Sequence, residues 1–295
     1  MRILFDPIRD GLSAIETASS QFATAQQQVA SGKRLAGAGD DPLAMQQAIG
    51  ERATIGALDA YSRANQSAAS RLAAIDSVLS GMTDKLTAVS VAGMSARGDH
   101  VTPTARAAAA AEVRSLRDAL LADVNSSFQG SYLFAGTHVD RVPYADSGGT
   151  WTYQGNADVT RVDIERGRSV AVTVDGQRIV QGSDAEDLFT VLDNLATAIE
   201  NADGAAIQTG LDSVERAFVR TQHALGSLGA DERNLDDLAS RLSTLRRAAE
   251  TRRSTLEDVN VAEAITRLGQ ADTSYRAALA AVSTAERQSL LDYLR

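Results

Sequence analysis

Cysteine is absent from the chain, and with it go disulfides, thiolate metal sites and a thiol nucleophile. Aromatic residues make up only 4% although hydrophobic residues reach 44%, alanine supplying much of the difference. Such a composition buries little area per residue and favours closely packed helices over a thick core. Proline occurs four times in 295 residues, so long helices meet few breaks. No apolar run approaches the roughly 18 residues that a membrane span needs. An excess of positive charge is also missing. The formal charge is −9 without a clustered Lys/Arg stripe, which argues against nucleic acid or an anionic membrane surface as the main partner. The opening MRILFDPIRDGLSAIE lacks the apolar core of a secretory signal, because Asp6, Pro7, Arg9 and Asp10 interrupt it. Composition alone therefore leads to the expectation of a cytoplasmic protein. The lack of cysteine also suits a chain that crosses compartments unfolded.

The chemistry of an enzyme is hard to assemble from these residues. His100, His138 and His223 are isolated from one another and from carboxylates at ligand spacing, so neither a zinc site nor a catalytic histidine is expected. The Gly32-Lys33 pair resembles part of a phosphate-binding loop. However, Gln27 stands where its first glycine belongs, and Arg34 takes the place of the hydroxyl residue after lysine. The doublets Asp40-Asp41 and Asp236-Asp237 could act as acid/base carboxylates. A helix cap explains the first, since Asp41 precedes Pro42 and an apolar-periodic run, and a solvated helix face explains the second. The reading is no catalytic residues, no cofactor and no metal.

What the chain does carry is helical periodicity. Ile8, Leu12, Ile15, Ser19, Phe22, Gln26 and Val29 follow steps of four and three, one face with two polar breaks. Leu58, Tyr61, Asn65, Ala68, Leu72, Ile75, Leu79, Met82, Leu86 and Val89 continue without a slip. They predict a coiled-coil seam about 47 Å long in which Asn65 fixes register. Thr102 and Pro103 start another helix, whose face runs through Val113, Leu116, Leu120, Val124 and Phe128 up to Gly130. Residues 131–182 change character. They are glycine-rich, hold the single tryptophan, alternate at Val170, Val172 and Val174, and carry a turn signal at Asp175-Gly176, which predicts a small β module. Helical spacing resumes at Leu188, and a second seam runs Leu235, Leu238, Leu242, Leu245, Ala249, Arg252, Leu256, Val259. Ile265, Leu268, Tyr275, Leu279 and Val282 line a last helix.

The expected fold is mainly α: a long antiparallel helical bundle or coiled-coil rod with a small inserted β domain and terminal helices. Its segments are the terminal helices at 1–40 and 260–295, the bundle at 41–130 and 183–259, and the β domain at 131–182. Between the first two helices lies ASGKRLAGAGDDPLAMQQ, residues 30–47, read as a joint. There Gly32, Gly37 and Gly39 allow unusual backbone conformations and Asp41-Pro42 restarts a helix.

That stretch resembles the N-terminal signature of the bacterial flagellin family, which includes the hook-associated proteins. The proline after Asp-Asp is closer to the junction members than to filament flagellins. GSYLFAGT at 130–137 looks like the segment with which hook-associated members leave their helical core for a β domain, and SLLDYLR at the C-terminus is similar to their ending. The resemblance implies a structural subunit of the flagellum where hook meets filament, exported unfolded through the flagellar type III channel, which reverses the cytoplasmic expectation. It implies a homo-oligomeric layer with hook-associated protein 1 on one side and flagellin on the other. An export chaperone would act at the C-terminal helix, with no nucleic acid and no membrane insertion. The terminal faces would meet copies of themselves through Ile8, Leu12, Ile15, Phe22 and Val29, and through Ile265, Leu268, Tyr275, Leu279, Val282, Leu290, Leu291 and Tyr293. Lys33, Arg34 and Asp41 would add inter-subunit contacts. A short filament-forming flagellin is the alternative within this class. A cytoplasmic coiled-coil adaptor is the alternative outside it, and the β module and the two terminal motifs weigh against it.

Overall fold

The computed structural model describes residues 7–35, 37, 39–98, 100–146 and 151–293. Its helices are α1 (Pro7–Ser31), α2 (Pro42–Ser95), α3 (Pro103–Val124), α4 (Gly176–Val180), α5 (Leu188–Glu200), α6 (Gly204–Glu257) and α7 (Val261–Tyr293). Between α3 and α4 lie β1 (Ser127–Phe128), β2 (Ser131–Tyr132), β3 (Tyr144–Asp146), β4 (Trp151–Tyr153), β5 (Arg161–Glu165) and β6 (Arg168–Ala171). The fold is mainly α with a small β region. Two compact units result: one is Asp59–Ser243, the other is Met1–Leu58 with Thr244–Arg295. The long helices α2 and α6 contribute residues to both.

The unit 59–243 owes its core to unbroken stripes. On α2, Asn65, Ala68, Leu72, Ile75, Leu79, Met82, Leu86 and Val89 are all buried, while Leu58 and Tyr61 are half-buried. The opposing stripe of α6 buries Leu211, Val214, Ala217, Leu228, Leu235, Leu238 and Leu242. Gly93 lets Leu211 of α6 approach α2, since a Cβ there would come within 2.7 Å of its Cδ2. Asn65 donates from Nδ2 to the Leu235 carbonyl at 3.0 Å, a polar tie inside the seam. Thr102 caps α3 by accepting from the Ala105 N–H, and Pro103 occupies its first turn. Of the alanine run 107–111, Ala110 is the buried member. Arg114 forks onto Glu200, and Arg117 pairs with Asp193, holding α3 beside α5.

Three sequence expectations change in this unit. The helical face does not continue to Phe128. α3 ends at Val124 because Asn125 turns its amide onto another segment, accepting from the Tyr144 N–H and donating to the Tyr144 carbonyl, both at 2.9 Å. Phe128 instead belongs to a hairpin that turns through Gln129 and Gly130, both at positive φ. Strands therefore begin at Ser127, ahead of the expected boundary at 131, and the β region consists of three separate antiparallel pairs. Finally, Asp175-Gly176 is no hairpin turn, and neither Val172 nor Val174 lies in a strand. Asp175 accepts from the N–H groups of Gln177 and Arg178 as the N-cap of α4, and glycine follows because a Cβ at 176 would lie 2.6 Å from the Phe134 carbonyl oxygen.

The β region is fastened to the helices by few but specific contacts. Tyr144 and Trp151 both pack edge-on against Phe189 of α5, with ring centroids at 5.2 and 6.1 Å. Arg71 of α2 donates to the carbonyls of Val172 at 2.5 Å and Tyr132 at 2.9 Å. Arg220 of α6 donates to Ile179 and Val180 and pairs with Asp184 at 2.6 Å.

Candidate functional site: the joint and the terminal helix pair

The unit formed by residues up to 58 and from 244 onward brings the two ends of the chain together. α1 runs antiparallel to α7. A Cβ at Gly11 would meet Val282 Cγ2 at 2.7 Å, and farther along Phe22 stacks on Tyr275 with centroids 6.1 Å apart and planes 12° from parallel. The stripe between the helices is built of small residues, with Ala18 and Ala25 of α1 and Ala264 and Ala271 of α7 buried. Ile15, Phe22, Val29, Leu268, Tyr275 and Val282 are half-buried beside them. Leu12, Ile265 and Leu279 lie off this stripe, exposed by 56%, 55% and 42%. The side chains of Ile8, Leu290, Leu291 and Tyr293 fall outside the described residues.

The joint is held by contacts at Gly32, Lys33, Arg34 and Asp41. Gly32 takes φ +67° after the last turn of α1, a conformation that glycine adopts without strain, and its carbonyl accepts from the Val259 N–H at 3.0 Å. Lys33 bridges Asp258 through the backbone and reaches its carboxylate at 2.5 Å, with Glu257 at 3.5 Å. The Arg34 N–H donates to the Glu257 carbonyl, and its guanidinium donates to the Leu256 carbonyl at 2.8 Å, a cation at the C-terminus of α6. Leu35 is buried below. Asp41 then accepts from the Ala44 N–H at 3.0 Å and caps α2, with Pro42 in its first turn. Lys33 and Arg34 are thus engaged within the chain, while their side chains stay about 40% exposed. The C-terminal end of α6 supplies them with carboxylates and the Leu256 carbonyl.

Electrostatics concentrate at the same place. Burial pushes the Glu257 carboxyl up, but Arg52 at 2.7 Å and Lys33 outweigh it and hold it below the usual range. Hydrogen bonds from Lys33 and Ser254 keep Asp258 low, and the Ala44 N–H, with Arg34, does the same for Asp41. One turn away Arg252 forks onto Glu51 at 2.7 and 3.1 Å. Arg252 therefore faces an ion pair, not a seam. Leu245 is corrected as well: expected on that seam with Leu256, it is exposed by 42%, while Leu256 is half-buried. The buried stripe of α6 has narrowed there to Leu242 and Ala249, and Leu245 falls outside it.

Sequence reasoning missed two groups. Glu257, Asp258 and Arg52 carry no local motif; only the charge of the two carboxylates, opposite to Lys33, Arg34 and Arg52, hinted at partners more than 200 residues away. The exposed Leu43, Ile49 and Val261 broke no recognised pattern, yet with Leu12, Leu245, Ile265 and Leu279 they make this unit unusually rich in exposed large apolar side chains. Among the described residues, no group of three or more potential ligands is placed to hold a metal, and no helix is long and apolar enough to cross a membrane.

Residues 11–139 match the N-terminal helical region of bacterial flagellin, and residues 211–294 match its C-terminal helical region. Flagellar hook-associated protein 3 of Salmonella typhimurium is 26% identical over 272 residues, covering 88% of this chain and 82% of that protein. Its counterpart in Escherichia coli is 24% identical over 71% of this chain and 72% of that protein. Among solved structures, a putative flagellar hook-associated protein from Vibrio parahaemolyticus superposes with a TM-score of 0.71 at 19% identity. It covers 74% of this chain and all of that one.

Proposed function

We infer that this chain, which belongs to the bacterial flagellin family, is a structural subunit of the flagellum that forms the junction layer between hook and filament. The flagellin N- and C-terminal regions together take in more than two thirds of it. The likeness to hook-associated protein 3, along most of both chains, supports the junction over the filament. The single observation that carries the mechanism is the terminal unit. α1 and α7 satisfy one small-residue stripe with each other and leave Leu12, Ile265 and Leu279 in solvent. Such a pair has a second apolar side to bury, and further copies of the same pair can cover it. Heterologous contacts of this kind build a ring or helical layer. The joint carries the chain from this pair into α2 with its charges paired internally.

The hook-facing neighbour in this reading is hook-associated protein 1, and the filament-facing neighbour is flagellin. The chain leaves the cell unfolded through the flagellar export apparatus, with a chaperone on α7 beforehand. Deleting the gene tests the function. Hooks should form while flagellin escapes into the medium and filaments fail to attach. Normal filaments in a strain without a paralogue would refute the junction role.

A further inference from the structure

Within the unit 59–243, α2, α4, α6 and the β region line a groove of about 780 Å³. Leu72, Leu79, Ile179 and Leu228 supply its apolar lining, and Asp175, Arg178, Arg220, His223 and Asp231 its charged or titratable edge, of which Asp175 caps α4 and Arg220 pairs with Asp184. This volume is in the range that takes an inserted side chain and its flanking backbone. The side chains of Arg178, His223 and Asp231 have no ion pair or hydrogen-bond partner among the described residues.

The same unit carries a matching projection. Val142 is exposed by 41%, the one large apolar side chain of the described β region so placed. Asp140 and Arg141 beside it are exposed, and their side chains have no partner among the described residues. The loop is nonetheless held in shape. The Tyr132 N–H donates to the Val139 carbonyl at 2.9 Å, the Arg141 N–H to the His138 carbonyl at 3.1 Å, and Asn125 grips Tyr144 just beyond. A preorganised knob loses little freedom on docking.

We propose that Val142 of one copy seats in the groove of the next, with Arg141 meeting Asp231 and Asp140 meeting Arg178. Residues 140–143 do not line the groove of their own chain, so their seat in a groove is that of a second copy. The apolar-to-apolar fit, and the crossed pairing of the groove's two unengaged charges, Arg178 and Asp231, with the unengaged Asp140 and Arg141, single out this partner. The contact is small, and repetition around a layer gives it strength. It rests on the junction-layer reading and adds to it a lateral contact between β regions.

Because the chain has no cysteine, introduced thiols report without background. Two copies are co-expressed in a deletion strain, one carrying Val142→Cys and the other Ser227→Cys on the groove lining, and their isolated hooks are oxidised. A mixed dimer is expected at about ten times the yield of a Val142→Cys and Val219→Cys pair, because docking raises the local concentration of the first pair alone. Val219 is exposed on α6 and outside the groove. Equal or absent 142–227 product overturns the contact. If hooks then still carry the protein, the junction reading survives that result; hooks bare of protein overturn it as well.

Discussion

Single residues here differ sharply in what they hold. Leu79 is fully buried in the unit 59–243, whereas Leu245 is 42% exposed although it occupies the same kind of heptad position. Leu79→Ala should lower stability by about 2–5 kcal/mol, and Leu245→Ala by less than about 0.5 kcal/mol. Denaturant titration of both variants measures the contrast, and equal losses would return Leu245 to the seam. Glu257 is the polar counterpart, a carboxylate only 3% exposed that Arg52 and Lys33 both need. Glu257→Gln keeps the shape and removes the charge. It should destabilise the chain by about 2 kcal/mol, and an unchanged midpoint would mean that solvent serves the two cations equally well.

At the scale of elements, the joint is an acid-sensitive clasp. Glu257 and Asp258 both have carboxyls held below their ordinary values in the folded chain. A depressed folded value means that the stabilisation is complete above the unfolded value, near pH 4, and is lost as pH falls through the lowered one. Amide protection at residues 32–35 and 254–259, taken relative to the intrinsic exchange rate at each pH, should therefore be high at neutral pH and fall below about pH 4, sooner than protection in the buried stripe of α2. Protection that does not change with acid would remove the ion pairs from the account. The helix pair α1 and α7 is held mostly by alanine contacts and one aromatic stack, and small side chains bury little area. In dilute monomer both should be cut by protease well before α2 and α3, and incorporation into flagella should protect them. Early protection in the monomer would show that the pair needs no neighbours.

The whole molecule was legible where its information is local. The α2 stripe from Asn65 to Val89, the Thr102-Pro103 start and the Asp41-Pro42 restart follow from spacing and capping within a few residues. The flagellin signatures at 30–47 and 130–137 pointed to the family that the matched terminal regions then established. What stayed hidden depends on distant segments. Asn125 stops α3 by bonding Tyr144, Gly176 is dictated by Phe134, and Lys33 and Arg34 are claimed by the end of α6. A heptad also cannot say where its partner stripe narrows, as at Leu245.

The central claim is a location, and immunogold labelling of the protein on isolated hook–filament complexes measures it directly. The account expects gold confined to a narrow band where the hook gives way to the filament. Label spread along the filament, or filaments attached to hooks that carry no label, would contradict it.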